Sequence, residues 1–127
     1  MNQYTLDLYE YVNCYLNGEK FNKEDSVIYD KIIDSLDSSM YPSESDIVLY
    51  RGLPCKPILG LQKGYISTSK NLDVAKEYGD YILEIHVKKG TMLLDISEIS
   101  YIKEEEEVII ARNSILVYDC DKIIVEQ

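Results

Sequence analysis

The chain has 127 residues, 46% of them hydrophobic and 28% charged, with a formal net charge of −10 at pH 7. That length suits a single domain around one core, and the apolar content excludes a disordered tail. No apolar run reaches the ~18–20 residues of a membrane helix, and a surface this acidic repels phosphate backbones while favouring basic partners.

In chain order, Tyr4, Leu8, Tyr11, Val12 and Tyr15 fall at helical spacing and predict a first helix that stops near Asn17-Gly18. Its opening residues, Met1 to Asp7, lack the basic and apolar regions of a signal peptide. Asn22 is placed to cap a second helix, with Ile28, Ile32 and Leu36 on one stripe and Tyr29 and Ile33 beside it. The tyrosines of both helices are read as packing rather than as a cofactor site. Tyr41-Pro42-Ser43-Glu44-Ser45-Asp46 breaks the helical half.

Strands follow. Ile47–Tyr50 is one, ending at Arg51-Gly52, and the prolines 54 and 57 then impose a loop. Asn71 caps a short helix over Leu72–Tyr78, closed by Gly79. Tyr81, Leu83, Ile85 and Val87 alternate with Glu84 and His86, so Tyr81–Val87 is a strand with one apolar face. Lys88-Lys89-Gly90 turns the chain into strands near 91–94, 107–111, 115–118 and 122–125. Helices first and hairpin-linked strands afterwards argue an α+β fold with mainly antiparallel sheets.

Cys14, Cys55 and Cys120 are odd in number and lack metal-ligand spacing; with a single His they form no zinc constellation. We read them as reduced thiols of an intracellular, cytoplasmic protein. The more informative feature is the run Glu104-Glu105-Glu106-Glu107 leading into Val108-Ile109-Ile110. On a strand, Glu105 and Glu107 share one face and Glu104 and Glu106 the other. Same-face carboxylates ~7 Å apart repel by about 0.6 kcal/mol in water and about 2.4 kcal/mol at an effective dielectric of 20. Taken alone, the run fits a solvated edge as well as a site.

Two upstream segments change that balance. Tyr50-Arg51-Gly52, Gly64-Tyr65-Ile66-Ser67-Thr68-Ser69 and Glu105-Glu106-Glu107 resemble, in order and with matching flanks, the Arg, Ser-Thr-Ser and Glu-x-Glu motifs of mono-ADP-ribosyltransferases. The branch in question contains bacterial toxins, bacteriophage transferases and vertebrate arginine-specific enzymes. The resemblance runs over roughly residues 25–120. It implies N-terminal helices packed on two mainly antiparallel sheets that form a cleft for NAD, which is a substrate, with no metal. It also implies one minimal catalytic domain over 1–127, of the phage or intracellular-effector kind.

The residue roles follow from the same likeness. Arg51 offers a planar fork to the NAD phosphates, as a Lys would not. Tyr50, Thr68 and Ser69 shape the cofactor-binding strand ends, and Gly52 lets backbone approach the nicotinamide carboxamide. Ser67 positions the catalytic Glu. Glu107 stabilises the developing ribosyl cation, and Glu105 orients or deprotonates the target nucleophile. Tyr78 is a candidate to stack on nicotinamide, and Tyr101 to recognise the target, a protein with a modifiable arginine. Period-two geometry leaves the pairs 104/106 and 105/107 open; the likeness selects 105/107, since the family's second Glu directly precedes its aliphatic strand. Two departures stand out: Ala111 replaces a frequent Pro, and only Lys70 and Lys76 are near enough to serve as a second cation. An NAD glycohydrolase on the same scaffold and a non-enzymatic acidic interaction module are the alternative functions.

Overall fold

The computed structural model describes residues 15, 16, 18, 23–96, 106–120 and 122–127. Of the first predicted helix, Tyr15 and Leu16 are helical, and Gly18, at φ +98°, returns its N–H to the Tyr15 carbonyl at 3.1 Å. That is the glycine-closed helix end read from Asn17-Gly18; the rest of that helix and the Asn22 cap lie outside the described residues. Helix α1 spans Lys23–Ser39. It packs through Tyr29, Ile32, Ile33 and Leu36. Ile28, expected on that stripe, is instead 53% exposed, because the buried face is centred on Ile33.

Nine strands are described: β1 Tyr41–Pro42, β2 Ile47–Leu53, β3 Gly60–Gln62, β4 Ile66–Ser69, β5 Tyr81–Val87, β6 Met92–Asp95, β7 Glu107–Ile110, β8 Ser114–Asp119 and β9 Lys122–Glu126. Between β4 and β5 lies helix α2, Leu72–Lys76, shorter than the span expected from sequence. The hydrogen-bonded order is β1-β6-β7-β4-β2-β5-β9-β8-β3, and all pairs except β5–β9 are antiparallel. The two sheets expected from sequence are therefore two blocks of one sheet, joined at β2–β4 by the single register pair Tyr50↔Ser69.

Leu49, Leu83, Ile85, Leu116 and Ile123 of one block and Ile66, Leu93, Val108 and Ile110 of the other share one core cluster. The blocks thus fold face to face, as their alternating apolar positions require. On the far face of the β4–β7 block, Tyr65, Ile96 and Ile109 pack against Ile33 of α1. Strand β7 is consequently buried on both sides, which is why it reads as an unbroken aliphatic run. Of the predicted apolar face of β5, Leu83, Ile85 and Val87 are buried, whereas Tyr81 at the strand start is exposed.

Candidate active site

Sheet geometry creates the site where β2 and β4 part. The Lys70 N–H donates to the Glu106 carbonyl at 3.0 Å, in register with Ser69↔Glu107. Antiparallel alternation then turns the main-chain groups of Ser67 and Ser69 away from β7 and toward β2. Ser69 meets Tyr50 there. Two residues earlier the β2 ladder has ended, and a side chain takes its place: Arg51 Nη1 donates to the Ser67 carbonyl at 2.8 Å. Arg51 was expected at a strand end. It lies inside β2, because pairing with β5 continues past it through Gly52↔Ile82 to Leu53↔Tyr81. Burial pulls its guanidinium below its usual range, yet a group that basic stays charged. A desolvated cation with four further N–H donors is suited to an anionic ligand.

Ser67 is occupied at its other end as well. Its hydroxyl donates to Glu107 Oε1 at 2.7 Å. Glu107 is 4% exposed and opens strand β7, so its carboxylate is seated against the serine at the strand start. Glu106, just before it, has a left-handed backbone at φ +45°. The two-residue alternation assumed from sequence therefore stops at Glu107 and does not fix where the preceding side chain points. Glu105 and Tyr101 lie outside the described residues.

The remaining expected residues separate into two groups. The Thr68 hydroxyl turns into the core and donates to the Val108 carbonyl at 2.7 Å. The Ser69 hydroxyl accepts the Asn71 N–H at 3.0 Å, and the Asn71 side chain accepts from Asp73 N–H at 2.9 Å, capping α2. Gly52 is crowded: an added Cβ would lie 1.7 Å from the Ala75 carbonyl oxygen, with Tyr78 Cβ at 3.3 Å. Tyr78 is exposed at the end of α2 beside it. Tyr50 is half-buried, between Ser69 on β4 and Glu84 on β5. The ammonium of Lys70 forms an ion pair with Asp95, while Lys76 lies in the last turn of α2. Asp95 was not anticipated, since nothing local marks a β6 carboxylate as Lys70's partner. Among the described residues no three His, Cys, Asp or Glu groups gather to hold a metal ion.

The model of the ADP-ribosyltransferase exoenzyme family matches residues 58–126, more than half of the sequence. The chain belongs to the ADP-ribosyltransferase exoenzyme family. The match takes in the Ser67–Ser69 triplet and Glu107, while Arg51 lies upstream of it. A curated relative, the NAD(+)–arginine ADP-ribosyltransferase EFV of Enterococcus faecalis, is 28% identical over 128 residues, covering 89% of this chain and 26% of its own. This exoenzyme-family chain thus spans about a quarter of that relative's length. Two solved toxins share the fold. Plx2a from Paenibacillus larvae has a TM-score of 0.67 at 17% identity, covering 99% of this chain and 85% of its own. The ADP-ribosylating toxin BECa of C. perfringens, solved with NADH, has a TM-score of 0.65 at 23% identity, covering 98% and 41%.

Proposed function

We propose that this chain, as one catalytic unit, is an NAD-dependent mono-ADP-ribosyltransferase that passes ADP-ribose to an arginine of a target protein and releases nicotinamide. One observation carries the reading. Ser67 holds the Arg51 cation through its carbonyl and the Glu107 anion through its hydroxyl, at 2.8 and 2.7 Å. A fixed positive group and a fixed negative group are thereby held by one residue where two strands diverge.

Such a pair matches the charge distribution of NAD in reaction. Arg51 faces the pyrophosphate. As the bond between ribose C1′ and the nicotinamide nitrogen breaks, the electron pair leaves with nicotinamide and the ribose becomes cationic. Glu107 stabilises that charge from a buried position, where it is worth more than in water. The guanidine nitrogen of the target then bonds to C1′, and its proton passes to Glu105, the role assigned by the motif. Tyr78 and the Gly52 backbone serve the nicotinamide side, Tyr50, Thr68 and Ser69 shape the strand ends, and Tyr101 reads the target. The arginine preference is supported by the name of the E. faecalis relative, and NAD as substrate by that name and by NADH in BECa. We place the action in a cytoplasm, a reading supported by the free, exposed Cys55 and Cys120. No described helix is long and apolar enough to cross a membrane.

The test is incubation with NAD and a guanidine acceptor such as agmatine, or a cell extract, followed by mass spectrometry for the ADP-ribose adduct. Wild type is expected to form it, and Glu107→Gln to lose roughly 10²–10³-fold in rate while keeping its circular dichroism. Equal product from the two, or none from wild type across many acceptors, overturns the proposal.

A further inference from the structure

Glu107 has an exposed flank in the mechanical sense. It is the first residue of β7, and Glu106 before it is left-handed and lies outside the strand. Its position therefore depends on what grips these two residues from neighbouring strands. Lys70 N–H donates to the Glu106 carbonyl at 3.0 Å from the β4 side, and Ile96 N–H donates to the Glu107 carbonyl at 3.1 Å from the β6 side. The Lys70 ammonium then pairs with the carboxylate of Asp95, the residue before Ile96. In register, Ser69 faces Glu107 and Asp95 faces Val108. The lysine side chain consequently crosses β7 from β4 to β6, a span of about 10 Å for two strand spacings. A long flexible stem and a compact charge suit that crossing.

We propose that Lys70 is a positioning residue whose ion pair with Asp95 straps β4 to β6 over the start of β7 and so fixes the Glu107 carboxylate against Ser67. The proposal rests on the transferase reading above. It also gives Lys70 a different job from that of a second phosphate-binding cation, since its charge is already engaged by Asp95. The pair is partly solvated, at 41% and 24% side-chain exposure. Pairs this exposed contribute little to global stability, so variants here remain folded and can be compared kinetically.

The test compares wild type, Lys70→Met, Asp95→Asn and the exchanged pair Lys70→Asp/Asp95→Lys in nicotinamide release and transfer to agmatine. Each single variant is expected to lose roughly 10–100-fold in kcat, with KM for NAD changed less than about twofold. The exchanged pair should recover most of the loss. Amide hydrogen exchange adds a readout that needs no turnover. The backbone amides at positions 70 and 96 should exchange faster in Lys70→Met than in wild type, and those of Leu49 and Ile85 should not. Raised KM with kcat unchanged overturns the strap in favour of a phosphate ligand. Unaltered kcat, unaltered amide protection, or an exchanged pair that fails to recover each overturns it too. A wild type without turnover but with the expected exchange pattern supports the strap and defeats the transferase reading instead.

Discussion

Ser67 and Gly52 show how single positions on diverging strands are constrained by different physics. At Ser67 the constraint is electrostatic, with a cation on the carbonyl and a carboxylate on the hydroxyl. Replacing the hydroxyl would leave a buried carboxylate without that donor, and charge-assisted bonds of this kind are the strong ones. At Gly52 the constraint is volume. The space a Cβ would occupy holds the Ala75 carbonyl oxygen, 1.7 Å away. The obstacle is the main chain of α2, which cannot rotate aside as a flexible side chain would. The motif's glycine is therefore a packing requirement in this chain before it is a means of approaching NAD. Gly52→Ala should destabilise the protein by about 1–3 kcal/mol, as overpacked sites do, read from the midpoint of urea unfolding. An unchanged midpoint would mean that α2 shifts at no cost.

At the scale of elements, α1 is tied to the β4–β7 block by a polar clasp as well as by its apolar stripe. The Tyr65 hydroxyl, two residues ahead of Ser67, donates to Asp37 Oδ1 at 2.7 Å, while Arg112 Nε and Nη2 both reach Asp37 Oδ2 at 2.9 Å. Burial first, and the Asp37 bond second, raise the Tyr65 phenol well above its usual range. Tyr65→Phe should cost about 1 kcal/mol at neutral pH. The pH dependence has a definite sign. The unfolded tyrosine ionises near pH 10, the folded one later, so above pH 10 the native state binds more protons than the unfolded state and stability falls. The contribution of Tyr65 is thus complete below pH 10 and is lost above it. Urea midpoints from pH 7 to 11 should decline more steeply for wild type than for Tyr65→Phe; parallel curves would remove the clasp from the account. These elements were unevenly legible in sequence. Strand β5 was readable because alternation over Tyr81–Val87 is local, and β7 because an aliphatic run follows the glutamates. Strands β1 and β3 were not, since two or three residues carry no period and exist only through partners such as Leu93 and Leu116. The site divides in the same way. Arg51, Ser67 and Glu107 stand in recognisable motifs, whereas Asp37 and Arg112, 75 residues apart, meet only after folding.

For the whole molecule, the junction of the two blocks is the decisive feature. One register pair, Tyr50↔Ser69, and one side-chain bond, Arg51 to Ser67, span the point where β2 and β4 separate. In the proposed function a dinucleotide held by Arg51 on one block reaches across that junction toward the other and binds only the folded chain. Its binding energy is then stabilisation: at a concentration 100 times Kd it amounts to about 2.7 kcal/mol. For a chain of this size that corresponds to a rise in Tm of roughly 6–12 °C. The overall charge of −10 opposes an anionic ligand at long range. At ordinary ionic strength that opposition is screened beyond about 8–10 Å, while the buried Arg51 contact is screened much less. Affinity should accordingly reside in Arg51 rather than in the surface. Arg51→Lys, which keeps the charge but loses the planar fork, should abolish most of the NAD-induced rise in Tm. Glu107→Gln should retain it, because in the proposed mechanism that carboxylate acts on charge that develops only in the transition state. Thermal melts of the three proteins with and without NAD separate the roles: an equal shift in Arg51→Lys and wild type would place the dinucleotide elsewhere than at the strand junction.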